Sequence, residues 1–113
     1  MKTGYVPDAG DLVWLTFDPQ AGREQAGRRP ALVLSPRVYN VRSNLAIVCP
    51  ITHQVKGYPF EVTVPAGHGV GGVILSDHLK SVDWKARRVE RLGRCPTETI
   101  EEVRARLAPL LGY

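Results

Sequence analysis

Eleven glycines and nine prolines interrupt these 113 residues at short intervals. The apolar pieces left between them suit strands rather than long helices. Asp11 to Phe17 is the first. Leu12, Trp14 and Thr16 fall on one alternating face and Val13, Leu15 and Phe17 on the other, and a strand apolar on both faces is covered on both. Ala31 to Ser35 is the second, stopped by Pro36. Leu45 to Ile51 is the third; it contains Pro50, which predicts an edge, bulge or strand end there. Phe60 to Val64 is the fourth, stopped by Pro65. Gly67, Gly69, Gly71 and Gly72 then read as a hairpin or surface loop, because neither a Lys-Ser/Thr pair nor a long helix follows them as in a phosphate-binding loop. Val73 to Leu75 is the fifth strand, and Ser81 to Trp84 and Val89 to Leu92 are further candidates.

One helix is predicted, from about Thr97 to about Ala108. Ile100, Val103 and Leu107 recur on one face. Glu98, Glu101 and Glu102 precede Arg104 and Arg106, as the helix dipole favours. Pro96 and Thr97 both suit its start, and Pro109 is expected to end or kink it. The fold class is therefore mainly β (α+β): a small, bent antiparallel barrel or sheet covered by a terminal helix. The length fits one domain, residues 1–113.

Hydrophobic residues make up 43% and charged residues 23% of the chain, which is ordinary for a folded domain. No apolar run is long enough for a transmembrane helix, and the N-terminus lacks the apolar stretch of a secretory signal. A cytoplasmic location is expected. Cys49 and Cys95 belong to no C-x-x-C pair and read as free thiols. His53, His68 and His78 show no metal-ligand spacing, so neither a metal nor a cofactor is expected. The net charge is +4. Residues 1–96 hold 13 Lys/Arg against 8 Asp/Glu, so the basic excess lies on the body of the domain, which fits attraction to a polyanion.

Glu24-Gln25-Ala26-Gly27-Arg28-Arg29-Pro30 carries the most chemistry. It places an acid, an amide and two guanidinium groups on a Gly-containing loop before the second strand. Arg offers rigid planar donors to phosphate oxygens. Thr52 and Asp77 also stand at strand ends, which a small barrel can gather on one rim. Lys56, Lys80, Lys85, Arg87 and Arg88, with Trp14, Phe17, Tyr39, Tyr58 and Trp84, supply the cations and aromatic surfaces that suit single-stranded nucleic acid. On RNA, metal-free cleavage needs no protein nucleophile. The 2′-OH attacks the phosphate, and the protein supplies a base, stabilises charge and aids the leaving 5′-oxygen. Glu24 is the candidate base, Arg29 the stabiliser of the phosphorane and Thr52 a donor to a phosphate oxygen. Each also has a plain structural reading: a surface pair of Glu24 with Arg23 or Arg28, Arg29 as the end of a loop, Thr52 as a strand-end residue, Asp77 as a turn cap.

The chain resembles the MazF/PemK family of bacterial toxins. The resemblance rests on Gly10-Asp11-Leu12-Val13-Trp14, Phe17-Asp18-Pro19, Glu24-Gln25-Ala26-Gly27, Arg29 to Pro36, Tyr39-Asn40, Pro50 with Thr52, Lys56-Gly57-Tyr58-Pro59-Phe60-Glu61-Val62, and Asp77 with Lys80-Ser81. It implies an SH3-like barrel with added helices. It also implies a homodimeric, metal-independent endoribonuclease cutting single-stranded RNA, chiefly mRNA, to 2′,3′-cyclic phosphate and 5′-hydroxyl ends, and blocked by an acidic antitoxin protein. Arg29 and Thr52 match the family's catalytic Arg and Thr, and Glu24 the acid of its active loop. The expected RNA-binding set is Phe17, Gln25, Arg28, Lys56, Asp77 and His78. Arg23 and Arg28 depart from the family pattern and are expected to strengthen phosphate attraction. His53 and His78 depart from it beside the base-reading region, so the recognised sequence is left open.

The apolar residues on both faces of the first strand are more than one small core readily hides, which predicts the dimer contact there. Two rival readings remain: a non-enzymatic toxin of related barrel fold acting on a protein such as gyrase, and a plain nucleic-acid-binding barrel.

Overall fold

The computed structural model of the chain describes residues 4–17 and 27–113. Among the described residues, seven strands form one antiparallel sheet: β1 (Asp11–Phe17), β2 (Gly27–Val33), β3 (Leu45–Thr52), β4 (Glu61–Thr63), β5 (Val73–Leu75), β6 (Lys80–Asp83) and β7 (Glu90–Arg94). Helix α1 (Arg37–Ser43) follows β2, a single 3-10 turn (Ser76–His78) follows β5, and helix α2 (Thr97–Leu110) ends the fold. The strands run β4-β5-β3-β2-β1-β7, with β6 also on β3.

The alternation expected of β1 divides the interior into two cores. Val13, Leu15 and Phe17 join Ala31, Val33, Ala46, Val48, Val82 and Trp84 on one face of the sheet. Leu12 joins Leu32, Cys49, Ile51 and Ile74 on the other, where Ile100, Val103 and Leu107 of α2 cover them. Burying each such aliphatic side chain is worth roughly 1.5–3 kcal/mol relative to exposure. The first face curls into a barrel lumen without complete strand-to-strand closure. The edge strands β6 and β7 are joined by a turn in which Val89 N–H donates to the Trp84 carbonyl at 3.0 Å, and Thr16 N–H donates to the Arg87 carbonyl at 3.0 Å. A turn thus stands where a final ladder would close the cylinder.

Pro50 sits within β3, where that strand changes its edge partner. Val48 pairs with Lys80 of β6 and Ile51 with Ile74 of β5. The break between the two ladders tolerates a residue without an N–H.

Helix α1 is an element the sequence reading lacks, and two further expectations need correcting. Gly27–Pro30 is not loop but the first half of β2, paired with Trp14–Phe17 of β1. The open edge of β1 needs a partner, and this tertiary demand overrides the weak strand propensity of Gly and Pro. The crowding predicted on β1 is also relieved within the chain: Leu12, Val13 and Leu15 are fully buried and only Trp14 and Thr16 are partly exposed. Exposed apolar side chains lie elsewhere: Val38, Tyr39 and Val41 of α1 with Leu45 at the start of β3, Val55 and Tyr58 in the loop after β3, and Leu110, Leu111 and Tyr113 at the C-terminal end.

Helix α2 runs from Thr97, after Pro96 in extended conformation as N-cap, through Pro109 to Leu110. Pro109 lies in the last turn, where it cannot donate to the carbonyl four residues back, so the break in the hydrogen-bond ladder falls at the end of the helix. A buried polar knot secures α1. The Asn40 side chain donates to the carbonyls of Pro7 (2.8 Å) and Ser35 (3.0 Å) and accepts from Ser35 Oγ (2.6 Å), while Trp84 Nε1–H donates to the Asn40 carbonyl (3.0 Å). Cys49 and Cys95 are free and buried. Among the described residues, no helix is long and apolar enough to cross a membrane.

Candidate nucleic-acid interface at the barrel rim

Directly opposed residues in adjacent strands share a face. Val13 opposes Ala31, Leu15 opposes Arg29 and Phe17 opposes Gly27; Val33 opposes Val48 and Ala31 opposes Pro50. The lumen face of β2 therefore reads Val33, Ala31, Arg29, and that of β3 reads Val48, Pro50, Thr52. Both rows are apolar until their last member. The β2–β3 ladder ends at Ala31–Pro50, and Arg29 and Thr52 each lie two residues beyond that pair in the same direction. The two groups expected to act together thus stand at the same end of the lumen.

Thr52 is buried, and its Oγ1 accepts a 3.1 Å hydrogen bond from Gln54 N–H. That bond uses a lone pair and leaves the hydroxyl proton for a ligand. Thr52 opposes Val73 of β5, and a Cβ on Gly72 would lie 2.3 Å from the Thr52 carbonyl oxygen. Gly72, at φ +108°, is a positioning glycine that sequence reasoning assigned only to a flexible turn. A close backbone approach of this kind requires glycine and leaves no signal in local sequence.

Phe17 is buried on the lumen face, and Lys80 Nζ lies 5.9 Å from its ring centroid, a cation–π arrangement. Its ring is a floor under the rim rather than an exposed stacking platform. Lys56 belongs to an exposed loop after β3 whose base is fixed by Glu61. The Glu61 carboxylate accepts from Lys56 N–H (3.1 Å) and Gly57 N–H (2.9 Å). Lys56 Nζ lies 5.9 Å from the ring centroid of Tyr58, which is exposed, as is Val55.

Asp77 is exposed and His78 partly buried in the 3-10 turn. The turn passes beside Cys49, whose Sγ lies 3.6 Å from the Ser76 carbonyl oxygen. Burial, with the Asp77 carboxylate adding to it, pushes the Cys49 thiol up to about 12. That thiol is a protonated core group, not a nucleophile. Glu24, Gln25 and Arg23 lie outside the described residues.

Arg28 does not join this set. It opposes Thr16, on the other face of β2 from Arg29, and its guanidinium is bonded within the protein to Thr16, Arg87, Arg88 and Glu90.

Comparison with known proteins gives the family of the chain. The family described as PemK-like, MazF-like toxin of type II toxin-antitoxin system matches residues 8–111. The chain is 46% identical to the endoribonuclease toxin MazF of Escherichia coli strain K12 over 112 residues, covering 99% of this chain and all of that one. It is 34% identical to the E. coli endoribonuclease PemK over 111 residues, covering 92% of this chain and 81% of PemK. The crystal structure of MazF from Deinococcus radiodurans superposes with a TM-score of 0.92 at 60% identity, covering 96% of this chain and 99% of that one. A MazE–MazF crystal structure from the same organism gives 0.85 at 55% identity, covering 96% and 97%. With its barrel, its rim and a match over almost its whole length, the chain belongs to the PemK-like, MazF-like toxins of type II toxin–antitoxin systems.

Proposed function

We propose that this chain, as one toxin domain over residues 1–113, is a metal-independent endoribonuclease that cuts single-stranded RNA, chiefly mRNA. The observation that supports the reading is the strand pairing around the two groups: Arg29 lies on the same face of β2 as Ala31, and the β2–β3 ladder ends at Ala31–Pro50, two residues short of Arg29 on one strand and of Thr52 on the other. The ribose 2′-OH attacks the adjacent phosphorus while Glu24 takes its proton. Arg29 stabilises the charge that builds on the phosphorane oxygens, and the Thr52 hydroxyl donates to one of them. The bond to the 5′-oxygen breaks, that oxygen takes up a proton, and the products are a 2′,3′-cyclic phosphate and a 5′-hydroxyl. Phe17, Gln25, Lys56, Asp77 and His78 are the proposed groups that seat the strand. Of these, Lys56 offers a cation beside an exposed aromatic ring, the pairing that suits a stacked base next to a phosphate.

The relatives named as endoribonucleases and the MazE–MazF complex support both the activity and an antitoxin partner. For this chain the partner segment is acidic, since it competes for a basic body. A homodimer is proposed through α1 and the start of β3. There Leu34, Ser35, Pro36, Tyr39 and Ile47 line an open groove of about 390 Å³ beside exposed Val38, Val41 and Leu45. A patch of this kind suits a two-fold contact that uses the same surface on both copies. The cytoplasm, where mRNA is found and thiols stay reduced, is the proposed location.

Incubating the purified protein with a long single-stranded RNA in excess EDTA tests the activity. Discrete fragments with 5′-hydroxyl ends are expected. Intact RNA, with inhibition of gyrase by the same preparation, would transfer the chain to the protein-poisoning reading. Retention of RNA without any cutting would leave only a binding barrel.

A further inference from the structure

We propose that Arg28 is a positioning residue of the rim, clamping the strand ends on both sides of residues 18–26 to the β6–β7 turn, and is not itself a phosphate contact. The inference rests on the nuclease reading above. Arg28 Nη1 donates to Thr16 Oγ1 at 3.0 Å and to the Arg87 carbonyl at 3.3 Å. Its Nη2 donates to the Arg88 carbonyl at 2.6 Å and pairs with the Glu90 carboxylate. Each terminal nitrogen of a guanidinium carries two N–H groups, and all of them are engaged. Grasping a phosphate with the usual two-pronged fork needs parallel N–H groups free to point at it. Arg28 has none left on its terminal nitrogens while the clamp is closed.

The acceptors lie in three parts of the chain: Thr16 at the end of β1, Arg87 and Arg88 in the β6–β7 turn, and Glu90 at the start of β7. Arg28, near the start of β2, reaches across β1 to join them. Thr16 is itself tied to the same turn, donating its N–H to the Arg87 carbonyl at 3.0 Å, while Arg87 Nη1 donates to the Thr16 carbonyl at 3.2 Å. Thr16 and Arg28 are directly opposed and flank the segment that carries Glu24 and Gln25. The turn is held in an unusual shape, with Arg88 at φ 59°, a left-handed conformation that costs a non-glycine residue free energy unless its surroundings impose it. Its carbonyl is one of those that Arg28 engages. Because Arg28 and Arg29 are adjacent, fixing the first also fixes the backbone from which the second projects onto the opposite face.

The test is steady-state cleavage of a short RNA by Arg28→Lys, Glu90→Gln and the double variant, with hydrogen exchange at the Thr16 amide. Lysine keeps the charge but cannot span four acceptors in a plane. For a clamp, Arg28→Lys lowers kcat by about tenfold to a hundredfold, as misplacement of reacting groups does, with KM within about twofold. Glu90→Gln moves kcat the same way by less, the double variant is no worse than Arg28→Lys, and Thr16 exchanges faster in all three. A raised KM at unchanged kcat in Arg28→Lys, or a shallower salt dependence of RNA binding, would overturn the clamp in favour of a phosphate contact. Unchanged kinetics in every variant would overturn it outright. Glu90 is exposed, so its variant should fold even if the Arg28 variant does not. A wild-type protein inactive on RNA would defeat the nuclease reading alone, and unchanged Thr16 exchange would then defeat the clamp as well.

Discussion

Arg28 and Arg29 are consecutive in β2 and project from opposite faces of it: Arg28 opposes Thr16, and Arg29 opposes Leu15 on the lumen side. Two guanidinium groups that look like one anion site in the sequence are thus separated by the sheet, and only Arg29 lies on the face of β2 that carries Ala31.

Arg29→Ala is expected to lose about 10²–10³-fold in kcat, the range for removing one preorganised donor to a developing oxyanion. Thr52→Ala should lose activity too, and its stability should fall by about 0.5–1.5 kcal/mol, because Gln54 N–H loses its acceptor. Thr52→Ser keeps the hydroxyl and should recover most of both. Single-turnover cleavage and urea unfolding separate the two effects. Full activity in either alanine variant would remove that residue from the site.

Lys56 should behave differently. It is exposed on a loop pinned by Glu61, so Lys56→Ala should raise KM with little change in kcat. It should also reduce the slope of log affinity against log salt by about 0.7, the value for one phosphate contact on a single strand. Filter binding across a salt series reads the slope directly. An unchanged slope would place Lys56 away from the RNA backbone.

How far the fold could be read from sequence differs from element to element. β1 and β5 were legible to the residue because their apolar runs end at turn or polar residues. The start of β2 was not. Gly27-Arg28-Arg29-Pro30 has no strand composition and becomes strand only because β1 pairs with it, so the opposite orientation of the two arginines was also hidden. α1 was missed because its one buried residue is polar: Asn40 gives no hydrophobic periodicity to count. In the proposed site, Arg29 and Thr52 are singled out by the family resemblance. Their approach to the same end of the β2–β3 ladder follows from a register that no local signal specifies, and the demands on Gly72 and Arg28 arise from contacts with distant segments.

The folded state should weaken in alkali. Burial, then the Asp77 carboxylate, raises the Cys49 thiol from 9.0 to about 12. Burial, then its 2.6 Å hydrogen bond to Asp11, also raises the Tyr5 phenol above its ordinary value. The native chain therefore holds protons that the unfolded chain releases. The stability linked to Cys49 is full below about pH 9 and declines as the pH rises towards about 12. Urea unfolding between about pH 7 and pH 11 should show this decline, and Cys49→Ala should flatten it. A Cys49→Ala variant with the wild-type slope would contradict the assignment.

Tyr39→Glu or Val41→Glu, each a charge placed in the exposed apolar patch of α1, should yield a monomer by light scattering at micromolar concentration with the monomer fold intact by circular dichroism. The corresponding change at Val55, exposed on the opposite side of Thr52 in sequence, should leave the dimer alone. Dimers in both α1 variants would move the contact elsewhere.

The central claim is that the RNA supplies its own nucleophile and that Glu24, Arg29 and Thr52 only move its proton and steady its charge. The most direct measurement compares, in excess EDTA, one cleavable oligonucleotide with the same strand bearing a single 2′-deoxy substitution at the scissile nucleotide. Cutting of the first to a 2′,3′-cyclic phosphate and a 5′-hydroxyl, with the second left whole at that bond, is the predicted result. Cutting of the deoxy-substituted bond, or cutting of either strand only when a divalent metal is restored, would contradict it.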